Sequence, residues 1–414
     1  MSDSGKKNFL KTGLVFLASC IFAAVILEIF LDNYKPVQPW IRRNRLIIIN
    51  EGAEGYNSLG FKGAEPPVDR AGLLTAFTVG GSTTHSPGAS GFTWTDFLGF
   101  NLEKTFSGAW INNAGMPGHN TYGHQLLLEN ALIPFKPKAV FFLTGVNDML
   151  TPESVSRNNA RMMSESWYLR AVDYAAAHSG IGALIKYIFV TPIFNRIMFA
   201  MPEKEDDDDD DKEGDGDSQG RKDIKKLIPK LEIFSSYLGT DREKEIPATG
   251  IDMKKGVKGI SEPKHKKELL ERHYLYSMAY KLRVKKLIDT CKKNDIKPVL
   301  ITQPLLCGKG KDPATGTDLG TFVYPGLWRD DFSDCSEYWS ALEMYNDRLR
   351  ELSSEEKVPL SDVARELPKD SRLFTDIMHF TDLGQYMIGR IIYKDVCGDL
   401  VDLSPGTYGG GCRL

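Results

Sequence analysis

The sequence predicts an α/β fold, a three-layer sandwich around a parallel sheet, preceded by one transmembrane helix. Two observations predict it. Short apolar runs of strand length alternate with longer helical patterns over residues 73–150 and again over 264–400. Such alternation favours a parallel sheet with helices on both faces. Ahead of these, Gly13 to Leu31 is apolar at every position except Ser19 and Glu28. As a helix that run extends about 28 Å, close to the hydrocarbon thickness of a bilayer.

Residues 1–12 read as a cytosolic tail carrying Lys6, Lys7 and Lys11, and residues 13–31 as the anchor. Lys35, Arg42, Arg43 and Arg45 follow the apolar run, so basic residues stand on both sides of it. The short lysine tail and the position of Asp32 at the far end favour a cytosolic amino terminus and place the rest of the chain outside the cytosol. Leu17-Ala-Ser-Cys20 resembles a lipoprotein cleavage box, but the residues after Cys20 stay apolar. A cleaved signal and a buried core helix are the other readings.

Residues 32–72 form a connector with a short strand at Arg45–Ile49. The first half of the core, 73–150, follows as strand Leu73–Val79, helix Thr93–Thr105, strand Ala109–Asn113, helix Tyr122–Ile133 and strand Ala139–Thr144. The second half, 264–400, reads as helix Lys264–Lys293, strand Lys297–Gln303, helix Glu337–Leu352 and strand Val358–Ser361. It closes with helix Asp382–Tyr393, capped by Thr381. Residues 401–414 are a carboxyl-terminal tail.

Between the halves lies an insertion, 151–263. Its apolar stretch Ile181–Ala200 is interrupted by Lys186, Pro192 and Arg196. It reads as a lid helix over the site, with an interfacial helix and a second span as alternatives. Residues 203–217 hold 11 acidic side chains and 2 lysines, including six consecutive Asp at 206–211. A run of that kind repels itself and has no apolar surface to bury, so a disordered loop is expected.

The formal net charge is −3 with 42% hydrophobic residues, and because the acidic loop is so negative, the remainder is mildly basic. No aromatic-interleaved basic stripe appears, which argues against a nucleic-acid partner. Cys20 lies in the anchor and Cys291 in a helical run. Cys307 and Cys335 bracket a Gly-rich loop, and Cys397 and Cys412 lie toward the carboxyl-terminal tail. An extracytoplasmic domain could pair the last four, while reduced thiols are the alternative. No Cys or His spacing suggests a metal, and no cofactor is expected.

The chemistry concentrates in four segments. In Leu373-Phe-Thr-Asp-Ile-Met-His-Phe-Thr381, Asp376 precedes His379 by three residues. A carboxylate so placed can hold an imidazole in one tautomer and stabilise its cation. Phe77-Thr-Val-Gly-Gly-Ser-Thr-Thr84 is an apolar strand running into two glycines and Ser82. Trp110–Thr121 runs from a strand into a glycine turn containing Gly118, and Val140–Asp148 ends a buried strand in Gly145-Val-Asn147-Asp148. Asp148 reads as a brace for that turn. His85, His119 and His124 lie near these motifs and receive no role.

Four strand-end elements in the order Ser, Gly, Asn, Asp-x-x-His resemble the SGNH (GDSL-like) hydrolase family. The resemblance covers residues from about 73 to 150 and about 264 to 395. It implies Ser82 as nucleophile, His379 as base and Asp376 as its orienting carboxylate. It also implies an oxyanion hole from the Ser82 N–H, the Gly118 N–H and the Asn147 side chain. The family's Gly-Asp-Ser is Gly80-Gly81-Ser82 here, a change expected to alter turn packing.

The function so implied is a membrane-tethered serine esterase acting on O-acyl, including O-acetyl, esters of a glycan or lipid. An O-acyltransferase acting on an extracytoplasmic glycan uses the same triad. A binding or assembly protein that kept the fold and lost turnover is the second class.

Overall fold

The computed structural model describes residues 55–150, 216–324 and 332–404, together with Cys412 and isolated positions within 19–30 and 179–182. The chain divides into two compact units. One is Ala53–Arg161 with Lys212–Leu414, and the other is Met1–Gly52 with Met162–Asp211.

In the larger unit, strands β1 (Leu74–Gly80), β2 (Ala109–Asn113), β3 (Ala139–Thr144), β5 (Lys297–Thr302) and β7 (Leu360–Ser361) form one sheet in the order β2-β1-β3-β5-β7. All four pairings are parallel. β1 and β3 are buried along their whole length. Strands covered on both faces favour apolar side chains, so they read as near-continuous apolar runs. A second, antiparallel pair joins β4 (Val257–Lys258) to β6 (Phe322–Val323).

Helices form the two outer layers. On one side α2 (Trp94–Thr105) packs on α9 (Asp382–Leu400). On the other, α6 (Pro263–Lys293) packs on α7 (Cys335–Glu356) and on α3 (Thr121–Leu127). Other α-helices include α1 (Ser82–His85), α4 (Val146–Leu150), α5 (Gly216–Tyr237) and α8 (Val363–Glu366). Local signals set the helix starts. The Asp96 carboxylate accepts from the Thr93 N–H and hydroxyl at 2.7 Å each, opening α2. Asp334 accepts from Glu337 N ahead of α7, and Thr381 from Gly384 N ahead of α9. Both satisfy first-turn N–H groups that lack helical partners. Fully buried Trp94, Phe77, Phe141, Phe142, Tyr280 and Tyr345 fill the core on both faces of the sheet.

The segment after Lys212, expected as part of the insertion, belongs to the same unit as the sheet. Ile224, Ile228 and Leu231 bury one stripe of α5, which packs against α9. Two disulfides close in this unit, Cys307–Cys335 and Cys397–Cys412, while Cys291 is free and buried.

Most of the expected anchor 13–31, the strand at 45–49, the acidic residues 203–215 and nearly all of Ile181–Ala200 lie outside the described residues. Within the anchor, Ser19, Phe22, Ala23, Val25, Ile26, Leu27 and Phe30 are described, and all are helical and exposed. Among the described residues no helix is long and apolar enough to cross a membrane.

Candidate active site

The sheet order places β1 between β2 and β3, so the chain reverses direction across the sheet at the β1/β3 boundary. In open α/β sheets that crevice, at the carboxyl ends of the strands, is where ligands bind. Ser82 follows the carboxyl end of β1 and Asn147 follows that of β3. Ser82 opens the single turn α1, in which Thr84 N and His85 N donate to Gly81 O and Ser86 N donates to Ser82 O.

Asp376 and His379 sit at the tip of a tight loop. An antiparallel bridge between Phe374 and Phe380 closes its base, and both rings are buried. Across the loop, Asp376 Oδ1 accepts from Met378 N at 2.7 Å and His379 N at 2.8 Å, an Asx-type turn that the short carboxylate suits. Two outside segments pin the loop: Leu306 N donates to Ile377 O, and Ile251 N donates to Phe374 O. Arg372, buried just upstream, pairs with Asp370 and also reaches Glu243. Residues 243–251 thus hold the outer side of the loop.

The structure brings Ser82, His379 and Asp376 together. His379 Nε2 lies 2.8 Å from Ser82 Oγ, and His379 Nδ1 lies 2.6 Å from Asp376 Oδ2. An ionised carboxylate only accepts, so Nδ1 carries the proton and Nε2 is left to accept from the Ser82 hydroxyl. Burial alone would raise the Asp376 carboxyl. The hydrogen bond and charge of His379, with the two backbone donors, outweigh it and hold Asp376 below the ordinary carboxylate range. Asp376 therefore stays ionised beside the ring.

Gly118 and Asn147 converge on the same crevice. Gly118 has φ +76°, a left-handed conformation that favours glycine. Asn147 Nδ2 donates to His119 O at 2.8 Å, linking the β3 end to the Gly118 loop. Gly81 abuts this amide: a Cβ built at residue 81 would stand 2.1 Å from Asn147 Nδ2. A side chain at residue 81 would therefore displace the Asn147 amide.

The neighbouring histidines are placed as packing groups. His119 and His124 are buried, with ring centroids 6.1 Å apart. Burial, reinforced by His124, pushes His119 down to about 3, and burial pushes His124 down to about 4. His85 Nε2 lies 2.8 Å from Tyr56 OH. Among the described residues no group of three or more His, Cys, Asp or Glu could hold a metal ion.

Residues 78–213 match the model of the GDSL-like lipase/acylhydrolase family. The chain carries a GDSL-like acylhydrolase domain. It is a serine hydrolase acting on ester bonds. The matched span of this GDSL-like domain includes Ser82, Gly118 and Asn147 and ends before Asp376 and His379. No curated protein matches the chain.

Several solved structures are similar to it at low identity. One is Axe2, an acetylxylan esterase from Geobacillus stearothermophilus. It is 11% identical, with a TM-score of 0.37, covering 79% of this chain and 96% of that one. Another is a putative GDSL-like lipase from Parabacteroides merdae, with 12% identity, TM-score 0.37, and 80% and 99% covered. A third is a lipase/acylhydrolase from Enterococcus faecalis, with 11% identity, TM-score 0.36, and 79% and 97% covered.

One group near the site escaped the sequence reading. Arg283 of α6 bonds to Asp148 and Thr121, although 135 residues separate it from Asp148. No spacing in the sequence links a helix arginine to a turn that distant.

Proposed function

We propose that the protein is a membrane-tethered serine esterase that hydrolyses O-acyl esters of a glycan or lipid, with its catalytic domain outside the cytosol. The observation that carries the chemistry is the hydrogen-bonded series Ser82–His379–Asp376, whose outer members come from opposite ends of the domain. A serine hydroxyl needs a base that removes its proton as it attacks, and His379 Nε2 stands within reach.

In this reading Ser82 Oγ attacks the ester carbonyl carbon as His379 takes its proton, and Asp376 stabilises the imidazolium. Negative charge gathers on the carbonyl oxygen. The Ser82 N–H, the Gly118 N–H and the Asn147 amide meet it there, and a lost donor of this kind typically costs ~10²–10³ in turnover. Collapse of the intermediate expels the alcohol, which takes the proton from His379, and leaves acyl-Ser82. Water, deprotonated by the same ring, then releases the acid and restores the hydroxyl.

Tethering rests on the apolar segment 13–31, in which Phe22, Val25, Ile26, Leu27 and Phe30 expose between 40% and 67% of their surface. The two disulfides support an oxidising, extracytoplasmic compartment.

The test is a panel of O-acyl glycan and lipid esters given to the full-length protein, with and without a free glycan acceptor. Free acid released only when Ser82 is present supports the esterase. Acyl transfer to the acceptor without free acid identifies a transferase instead, and no Ser82-dependent reaction on any ester overturns the proposal.

A further inference from the structure

We infer that Arg283, in the middle of α6, is a positioning residue that fastens together the two segments bearing the oxyanion donors Gly118 and Asn147. The inference rests on the oxyanion roles proposed above and adds the group that holds those donors in register.

Asp148, next to Asn147 in the chain, has a side chain only 1% exposed. Its Oδ1 accepts from Thr121 Oγ1 at 2.5 Å and from Arg283 Nη2 at 3.1 Å. The Thr121 N–H points at the same carboxylate, 3.3 and 3.2 Å from its two oxygens. Thr121 is the first residue of α3, three positions after Gly118. Its N–H is one of the first-turn donors that a helix leaves unpaired, so a carboxylate at that point satisfies it. Arg283 Nε then donates to Thr121 Oγ1 at 2.7 Å, and the guanidinium lies 4.7 Å from the centre of the Tyr122 ring.

The Gly118 and Asn147 segments are therefore joined twice. Asn147 joins them directly through His119 O. Asp148, Thr121 and Arg283 join them a second time. Arg283 supplies both the positive charge that offsets the buried carboxylate and a second bond to its hydroxyl partner.

Without the guanidinium, Asp148 is a buried anion with no counter-charge among the described residues, an arrangement that folded proteins avoid by protonation or rearrangement. Either response loosens Thr121 and moves the Gly118 loop relative to Asn147. A shift of about 1 Å in catalytic geometry can cost on the order of 10² in rate. Arg283 acts through Asp148 and Thr121, so the loss falls on turnover.

The test is a double-mutant cycle in the full-length protein, read as kcat and KM on a p-nitrophenyl ester with Tm measured in parallel. Arg283→Met is expected to lower kcat by about 10²-fold with KM changed by less than about threefold. Arg283→Lys keeps the charge but cannot span both partners, so it falls between. In an Asn147→Ala background, Arg283→Met is expected to add less than about tenfold, because part of what it positions is already gone.

Fold losses that simply multiply would overturn the inference, as would a folded Arg283→Met enzyme with kcat within about threefold of the parent. If Arg283→Met does not fold, Arg283→Lys decides by the same cycle. An Asn147→Ala enzyme with unchanged kcat would remove the oxyanion assignment itself, and the inference with it.

Discussion

Gly81→Ala should damage catalysis while leaving stability nearly unchanged. A Cβ at residue 81 would lie 2.1 Å from Asn147 Nδ2, about 1.4 Å short of an ordinary ~3.5 Å non-bonded separation. The obstructed atom is the end of a side chain, so the Asn147 amide yields and the backbone does not. Gly81 has φ −86°, which alanine adopts without strain. The displaced amide gives up its bond to His119 O, worth ~1 kcal/mol. The reduced freedom of the unfolded chain returns ~0.4–1 kcal/mol. The two nearly cancel. Catalysis has no such compensation: displacement of an oxyanion donor by more than 1 Å should lower kcat by ~10²-fold, about 2.7 kcal/mol of barrier. Steady-state kinetics on a p-nitrophenyl ester, paired with urea unfolding, measures both quantities. A Gly81→Ala enzyme with kcat within about threefold of the parent would refute the placement of Asn147 as a donor.

Acid should weaken the fold through His119 and His124. Their folded values, about 3 and about 4, lie below the unfolded value near 6.5. As pH falls below about 6.5 the unfolded chain takes up protons that the native state resists, so stability declines until about pH 4 for His124 and about pH 3 for His119. Each ring contributes up to about 1.4 kcal/mol per pH unit. Unfolding free energies of His124→Leu between pH 6.5 and 4.5 should show a slope shallower by about that amount, and an unchanged slope rejects the assignment. Arg372→Met should cost ~3–5 kcal/mol, because it leaves Asp370 buried without its partner. It should also reduce esterase activity at temperatures where the protein stays folded, since Arg372 adjoins the loop bearing Asp376 and His379. Full activity in that variant would show that the loop is held without it.

Much of the domain was legible because its signals are local. β1, β3 and β5 are largely buried on both faces and so appear as mostly apolar runs. Thr381 announces its helix by capping. The Ser82, Gly118, Asn147 and Asp376-to-His379 segments each read as the end of a strand or the edge of a turn, and the structure gathers Ser82, Asp376 and His379 into hydrogen-bonding reach. Elements beyond that local reach were harder to read. α5 was not expected, because its apolar stripe Ile224, Ile228 and Leu231 is embedded among lysines and follows the acidic run. α9 runs on to Leu400, seven residues past the expected end at Tyr393, as Val396, Cys397 and Leu400 continue its buried face. Disulfide connectivity and the Arg283–Asp148 pair depend on how distant segments meet, and no periodicity encodes that.

The central claim is that Ser82 is the nucleophile and His379 its base. A fluorophosphonate probe tests it directly, with the adduct located by peptide mass spectrometry in the full-length protein. The account predicts a single adduct on Ser82, absent in Ser82→Ala and strongly slowed in His379→Ala, with loss of ester turnover in both variants. Ester hydrolysis persisting at the parent rate in Ser82→Ala would contradict it.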